Sequence, residues 1–240
     1  MRAYSTTDLA AGEAAVLERF ADDFSGRVLE IGCGTGRVTG HMAALSGDVR
    51  AVDISPQMLD RARPLYPTVA FSPADLRDLS DFADADCDVI ALWANLIDIL
   101  GHEERATTLG ELERMLRPGG LLALDTHNLA NAPQRRRATD LTWDSPRAFV
   151  RSAAVAPVKV FNHRRLARHE QSGEGYAVLN DEAHRFMALH YYVDRGEQER
   201  QLAAAGLDLI AIVDRSGTIL GVGDRAPRSP SLTYVARRPG

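Results

Sequence analysis

The sequence has only two cysteines, Cys33 and Cys87, which is too few for a disulfide framework and lacks the paired spacing of a zinc site. A reducing cytoplasm is the expected compartment. No apolar run reaches the roughly 20 residues that a membrane helix needs, so a membrane partner is not expected. The opening stretch MRAYSTTDLAAGE also lacks the basic-then-apolar pattern of a secretory signal. Positive charge is not in excess either: the net charge is -5 and the pI about 5.8, a poor balance for gripping phosphate backbones, so nucleic acid is not an expected partner. Lysine is nearly missing, with Lys159 the one lysine among 28 basic residues. That bias accompanies abundant alanine and carries no functional inference. What is present is ordinary for a folded domain, 45% hydrophobic and 25% charged over 240 residues, enough for one sizeable core with an insertion. A homodimer is left open.

The order of periodic segments gives the architecture. Thr7 and Asp8 can cap a helix carrying Leu9, Val16, Leu17, Phe20 and Phe24 at near-helical spacing, an N-terminal cover helix. A short apolar strand from Arg27 to Ile31 runs into a glycine turn and then a helix from about Thr35 to Leu45. A second strand, Asp48 to Ile54, is followed by Ser55-Pro56, a strong helix start. Strands near Val69 to Phe71 and Asp88 to Trp93, a helix from Glu103 to Leu116 and a strand from Gly120 to Thr126 continue the alternation. Such alternation predicts an α/β fold, a Rossmann-like three-layer sandwich with a mostly parallel seven-stranded sheet. The rhythm breaks after Asn128, and residues 129–186 read as an inserted, β-rich lid, with the core spanning about 8–128 and 187–240. A helix capped by Asp194 and ending at Gly206, then strands at Leu207 to Val213 and Ser231 to Ala236, complete the core.

The turn after the first strand holds Gly32, Gly34 and Gly36, which let the backbone bend tightly and approach a ligand with no Cβ in the way. Asp53 ends the second strand, where a carboxylate can accept hydrogen bonds from ribose hydroxyls. A nicotinamide enzyme would share that logic, but Arg37 stands where the third glycine of its fingerprint is required, and Glu30 adds an acid before the turn.

The segments VLEIGCGTGR at 28–37, AVDIS at 51–55, Ala74-Asp75-Leu76 and LRPGG at 116–120 resemble class I S-adenosylmethionine-dependent methyltransferases, in that family's order. The resemblance covers roughly residues 20–127 and 190–236. It implies S-adenosyl-L-methionine as cofactor and S-adenosyl-L-homocysteine as product. It further implies that Glu30 and the loop Gly32, Cys33, Gly34 and Gly36 contact the amino acid part of the cofactor. Asp53 with Ile54 would bind the ribose side, Asp75 with Leu76 the adenine amino group, and Met58 the adenine face. Leu92, Trp93 and Ala94 would line the methionine part, and Tyr4 would close over the cofactor. Each residue also has a bland role, as turn, cap or core, and the weight lies in their joint order.

Methyl transfer from a sulfonium chiefly requires alignment and exclusion of water, with a base where the acceptor must lose a proton. Three residues near the ends of the fourth and fifth strands are candidates: Asp98, His102 and His127. In related small-molecule N-methyltransferases a histidine lies a few residues beyond the fourth strand. Here Asp98 occupies the corresponding place, as proton acceptor or as partner of a cationic substrate, with His102 the alternative one turn on. The lid histidines His163, His169, His184 and His190 lack metal-ligand spacing, so no metal is expected. Tyr191 and Tyr192 point to opposite faces of a strand, one toward core and one toward the pocket. Arg135 to Arg137 could steer an anionic group or simply be solvated. The expected acceptor is a small molecule, methylated on nitrogen, with oxygen next. A cyclase or isomerase that binds the cofactor without transfer is the alternative, and a nicotinamide-dependent oxidoreductase a weaker one.

Overall fold

Near-continuous apolar runs make the central strands, because a parallel strand covered on both faces has no solvent side to alternate toward. In the computed structural model, which describes residues 8–132, 139 and 143–240, β1 (Arg27–Ile31) and β4 (Cys87–Leu92) are of this kind and pair in parallel. Between and around them lie α1 (Ala11–Arg19), α2 (Thr39–Leu45), β2 (Asp48–Asp53), α3 (Pro56–Ala62), β3 (Ala70–Pro73), α4 (His102–Met115) and β5 (Leu116–Asn128). The chain closes with α6 (Arg195–Ala204), β9 (Asp208–Asp214) and β10 (Ser231–Arg237). The core sheet runs β3-β2-β1-β4-β5-β10-β9, with β10 antiparallel to both neighbours. These seven strands match the core expected from the sequence and lie between two buried apolar clusters, but the whole sheet has ten strands. Local chemistry sets several ends. The Asp194 carboxylate accepts the Glu197 N–H at 2.8 Å and starts α6, and Gly206, at φ 81°, follows its last turn. Ser55 makes no side-chain cap for α3; its own N–H is instead held by Asp53 Oδ1 at 2.9 Å.

The insertion differs from the strand-rich reading. Its largest element is α5 (Pro146–Leu166), begun by Ser145, whose hydroxyl accepts the Ala148 N–H at 3.1 Å, with proline in the first turn. Four valines and the internal Pro157 disguise it as extended chain, yet its side chains pack on the segment after the lid strands: Lys159 pairs with Glu182 at 2.8 Å and His163 Nδ1 meets Asn180 Oδ1 at 2.8 Å. Among the described residues the insert's strands are β6 (Gln171–Gly173) and β7 (Tyr176–Leu179), and β8 (His190–Val193), beyond the expected boundary at 186, joins them in one antiparallel meander, so the insert extends to Val193. β5 outruns β4, whose last pair is Leu92 with Leu124, while β10 lines its other edge as far as His127. β8 fills the vacated edge, in parallel register with His127 opposite Tyr192 and Asn128 opposite Val193. The insert therefore joins the sheet at the point where β5 delivers its histidine.

Candidate functional site

The glycine turn is built by three different demands. Gly32, at φ 74°, lies so close to Leu96 that a Cβ would come within 2.4 Å of that side chain. Gly36, at φ 88°, gives way to the Tyr66 ring, 2.5 Å from where a Cβ would stand, so its glycine serves packing rather than a ligand. Gly34, at φ 56°, faces open space with no atom within 4 Å of a Cβ. Its N–H donates to Asp53 Oδ2 at 2.9 Å, which ties the loop to the end of β2. Ile54 beside it is 63% exposed, and Met58 and Asp75 are half-buried. A notch with an open glycine, a carboxylate and uncovered apolar side chains fits a nucleoside with an amino acid arm.

Other predicted contacts turn inward. The Glu30 carboxylate is buried and accepts the Thr39 hydroxyl; burial pushes its pKa up to about 7. Cys33 is buried in the core, and burial pushes its thiol well up, away from nucleophilic character. Leu76 and Leu92 are core residues, as is Trp93, while Ala94 is exposed. Asp75 Oδ1 accepts the Arg77 N–H at 2.9 Å. Arg37 reaches back to α1, where Nη2 lies 2.6 Å from Glu13 Oε1, and so clamps the cover helix over the loop. Tyr4 and Arg135 to Arg137 lie outside the described residues.

On the acceptor side the structure brings Asp98 and His127 together and leaves His102 apart. Asp98 is wholly buried in a short 3-10 segment, Leu96–Ile99, after β4. Its Oδ2 receives the His127 backbone N–H at 2.6 Å and lies 2.8 Å from His127 Nδ1. Its Oδ1 receives Thr126 Oγ1 at 2.6 Å and Arg105 Nη1 at 2.8 Å. The Asp98 carboxylate is thus engaged by four donors of the chain itself, one of them the His127 imidazole. His127 is 21% exposed, and its Nε2 lies 3.4 Å from Asn95 Nδ2. Its ring packs 4.9 Å from Tyr192 and 5.5 Å from His190, both centroid to centroid. Tyr192 donates to Asp181, which also lies 3.2 Å from His190 Nδ1. Tyr191 turns the other way, under the Arg105 guanidinium. His102 Nδ1 meets the Tyr191 hydroxyl at 2.7 Å and its ring stacks on Tyr176 at 4.1 Å, which makes it part of the joint between α4 and the insert.

Asn95, Arg105, Asp125 and Asp181 were not among the residues singled out from the sequence. Asp125 stands two residues before His127 on β5; it is buried, accepts the Ala94 N–H at 2.9 Å and Thr233 Oγ1 at 2.6 Å, and burial pushes its pKa up to about 6.

Residues 28–120 match the family described as a methyltransferase domain. Trans-aconitate 2-methyltransferase of Azoarcus sp. (strain BH72) is 32% identical over 163 residues, 66% of this chain and 62% of that protein. The chain spans about half the length of the curated relatives it matches. Among solved structures, an S-adenosylmethionine-dependent methyltransferase from Mesorhizobium loti superposes with TM-score 0.67 at 18% identity, covering 97% of this chain and 100% of that one. The 1,6-didemethyltoxoflavin-N1-methyltransferase of Burkholderia thailandensis gives TM-score 0.60 at 18% identity, covering 98% and 80%. Residues 28–120 therefore carry a methyltransferase domain, and the chain as a whole has the fold of S-adenosylmethionine-dependent methyltransferases.

Proposed function

We propose that the protein methylates a nitrogen atom of a small-molecule acceptor, with His127 as general base. The observation that carries this is the Asp98 carboxylate 2.8 Å from His127 Nδ1. A carboxylate there accepts a hydrogen bond from Nδ1–H, fixes that tautomer and leaves Nε2 as the basic nitrogen. When bound, S-adenosylmethionine supplies an electrophilic methyl group. Gly34, Asp53, Ile54, Met58 and Asp75 would hold it, with the backbone of Gly32, Cys33 and Ala94 beside its amino acid arm. His127 would accept the acceptor's proton through Nε2. Asp98 is a positioning residue, and the Tyr192 ring shields the imidazole from water.

Nitrogen is favoured over a carboxylate oxygen because an amine reaches neutral solution protonated and needs a base, whereas a carboxylate is already ionised. A hydroxyl acceptor is the second reading, since it too profits from a base. The small-molecule acceptor class is supported by the insert beside the site and by the net charge of -5, which disfavours nucleic acid. Cytoplasmic residence fits the two unpaired thiols, and no helix among the described residues is long and apolar enough to cross a membrane. The test offers methyl-labelled S-adenosylmethionine with separate pools of amines, phenols and alcohols, and carboxylic acids. Label should enter the amine pool, survive alkali and depend on His127, with His127→Ala still binding S-adenosylhomocysteine. A competent reaction that leaves substrate mass unchanged would sink methyl transfer in favour of a cofactor-binding isomerase or cyclase.

A further inference from the structure

The end of β4 carries two consecutive non-glycine residues in the left-handed region, Ala94 at φ 55° and Asn95 at φ 57°. Such backbone persists only where the surroundings over-determine it. Here the buried Asp125 does so by holding the Ala94 N–H, while the Asp98 and Leu96 N–H groups bond back to Asn95 and Trp93 carbonyls at 3.1 and 3.2 Å. The consequence is the placement of the Asn95 amide. Its Nδ2 stands 3.4 Å from His127 Nε2, at the long end for a hydrogen bond, and its Oδ1 is buried with no hydrogen-bond partner among the described residues. A buried amide oxygen lacking a donor is uncommon in folded proteins, and beside a proposed base it calls for a donor on a ligand.

We infer that Asn95 determines the acceptor class and that the acceptor is a primary or secondary amine, whose ammonium form carries at least two N–H hydrogens; this rests on His127 being the base. Two acceptor atoms belong to this corner: His127 Nε2, and Asn95 Oδ1 on the same amide whose Nδ2 lies 3.4 Å from that nitrogen. A primary amine, for instance, arrives as R–NH3+. One proton passes to Nε2, which frees the nitrogen lone pair, and a remaining N–H donates to Asn95 Oδ1. The amine gains the methyl group in place of the lost proton and leaves as a secondary ammonium, R–NH2+–CH3. An alcohol brings one hydrogen for two acceptors. A carboxylate brings none and sets its oxygens against the amide oxygen.

The inference is tested by NMR on the protein loaded with S-adenosylhomocysteine, following the Asn95 side-chain amide and the His127 imidazole nitrogens. The probes are benzylamine, benzyl alcohol and benzoate. Benzylamine should shift both signals and bind at least fivefold more tightly than the other two. Asn95→Gly, which suits the left-handed backbone and deletes the amide, should abolish that preference while S-adenosylhomocysteine affinity stays within twofold. Asn95→Asp, which keeps an oxygen acceptor, should retain it. Equal binding of the three probes, or an undiminished amine preference in Asn95→Gly, overturns the assignment. Failure of the wild type to bind S-adenosylhomocysteine would sink the methyltransferase reading itself, before any probe is added.

Discussion

His127 is held twice by Asp98, through its backbone N–H at 2.6 Å and its imidazole Nδ1 at 2.8 Å, so the strand and the side chain are registered by one carboxylate. Asp98 can do this because Arg105, itself fully buried, balances its charge from α4 at 2.8 Å. Arg105 spends its other donors on Thr126, Gln198 and Gln201. A buried pair so closely satisfied orients its neighbours as a unit.

Asp98→Asn should therefore damage both fold and base. The substitution leaves the Arg105 guanidinium buried without its counter-charge, a loss of about 3–5 kcal/mol for a pair of this kind. Urea unfolding measures that loss, and nitrogen chemical shifts of His127 should report that the Nδ1–H tautomer no longer dominates. An unchanged tautomer in a folded Asp98→Asn protein would remove the orienting role.

The glycine turn has an open side at Gly34 and a packed side at Gly36. Gly34→Ala meets no atom and carries only the left-handed backbone penalty, about 1–2 kcal/mol, but it fills the open notch. Affinity for S-adenosylhomocysteine should fall at least tenfold by calorimetric titration, with the melting transition still cooperative. Gly36→Ala must displace the Tyr66 ring and should lose more stability than affinity. The reverse ranking would move the cofactor to the Tyr66 side.

Much of this was legible in advance because it depends on local chemistry. The strand and helix order, the glycine turn and Asp53 at the end of β2 follow from short-range pattern, and the structure places them as expected. Roles set by long-range contacts were not. Asp98 reads as exposed and reactive until its partners from α4 and β5 are known. One signal was available. On α4, Arg105 shares the buried stripe of Leu109, Leu112 and Met115, and an arginine in such a stripe requires a carboxylate. The α5 helix was hidden by valines and Pro157, whose preference for extended chain is overridden by its contacts with residues 180–186. Nothing local distinguishes Asn95, whose importance lies in backbone conformation.

Stability should decline from mildly acidic to mildly alkaline pH on account of Glu30. Burial raises its folded pKa from 4.5 to about 7, so the folded state holds that proton more tightly than the unfolded chain does. The contribution is full below about pH 4.5 and is lost as pH rises through about 7. Glu30→Gln removes the ionisation and should gain stability on wild type between pH 5 and 8 by an amount on the order of 2–3 kcal/mol. Asp125, raised to about 6 by burial, imposes a slope of the same sign that remains in the variant. A wild-type advantage growing toward pH 8 would contradict the buried, Thr39-bonded carboxylate.

His102 provides the sharpest contrast with His127. Its Nδ1 lies 2.7 Å from the hydroxyl of Tyr191, whose phenol burial pushes up to about 12 and thus keeps protonated, and the Gln201 amide donates to the same hydroxyl at 2.9 Å. The stack on Tyr176 closes α4 against the insert. His102→Phe preserves the stacking surface and deletes one hydrogen bond, so it should cost about 1 kcal/mol in denaturant unfolding. Methyl transfer should remain within about threefold of wild type, because neither the Asp98 dyad nor the notch at Gly34 is touched. If His102→Phe instead loses transfer a hundredfold or more while folding and S-adenosylhomocysteine binding persist, His102 is the base and the Asp98–His127 pair is a structural clasp.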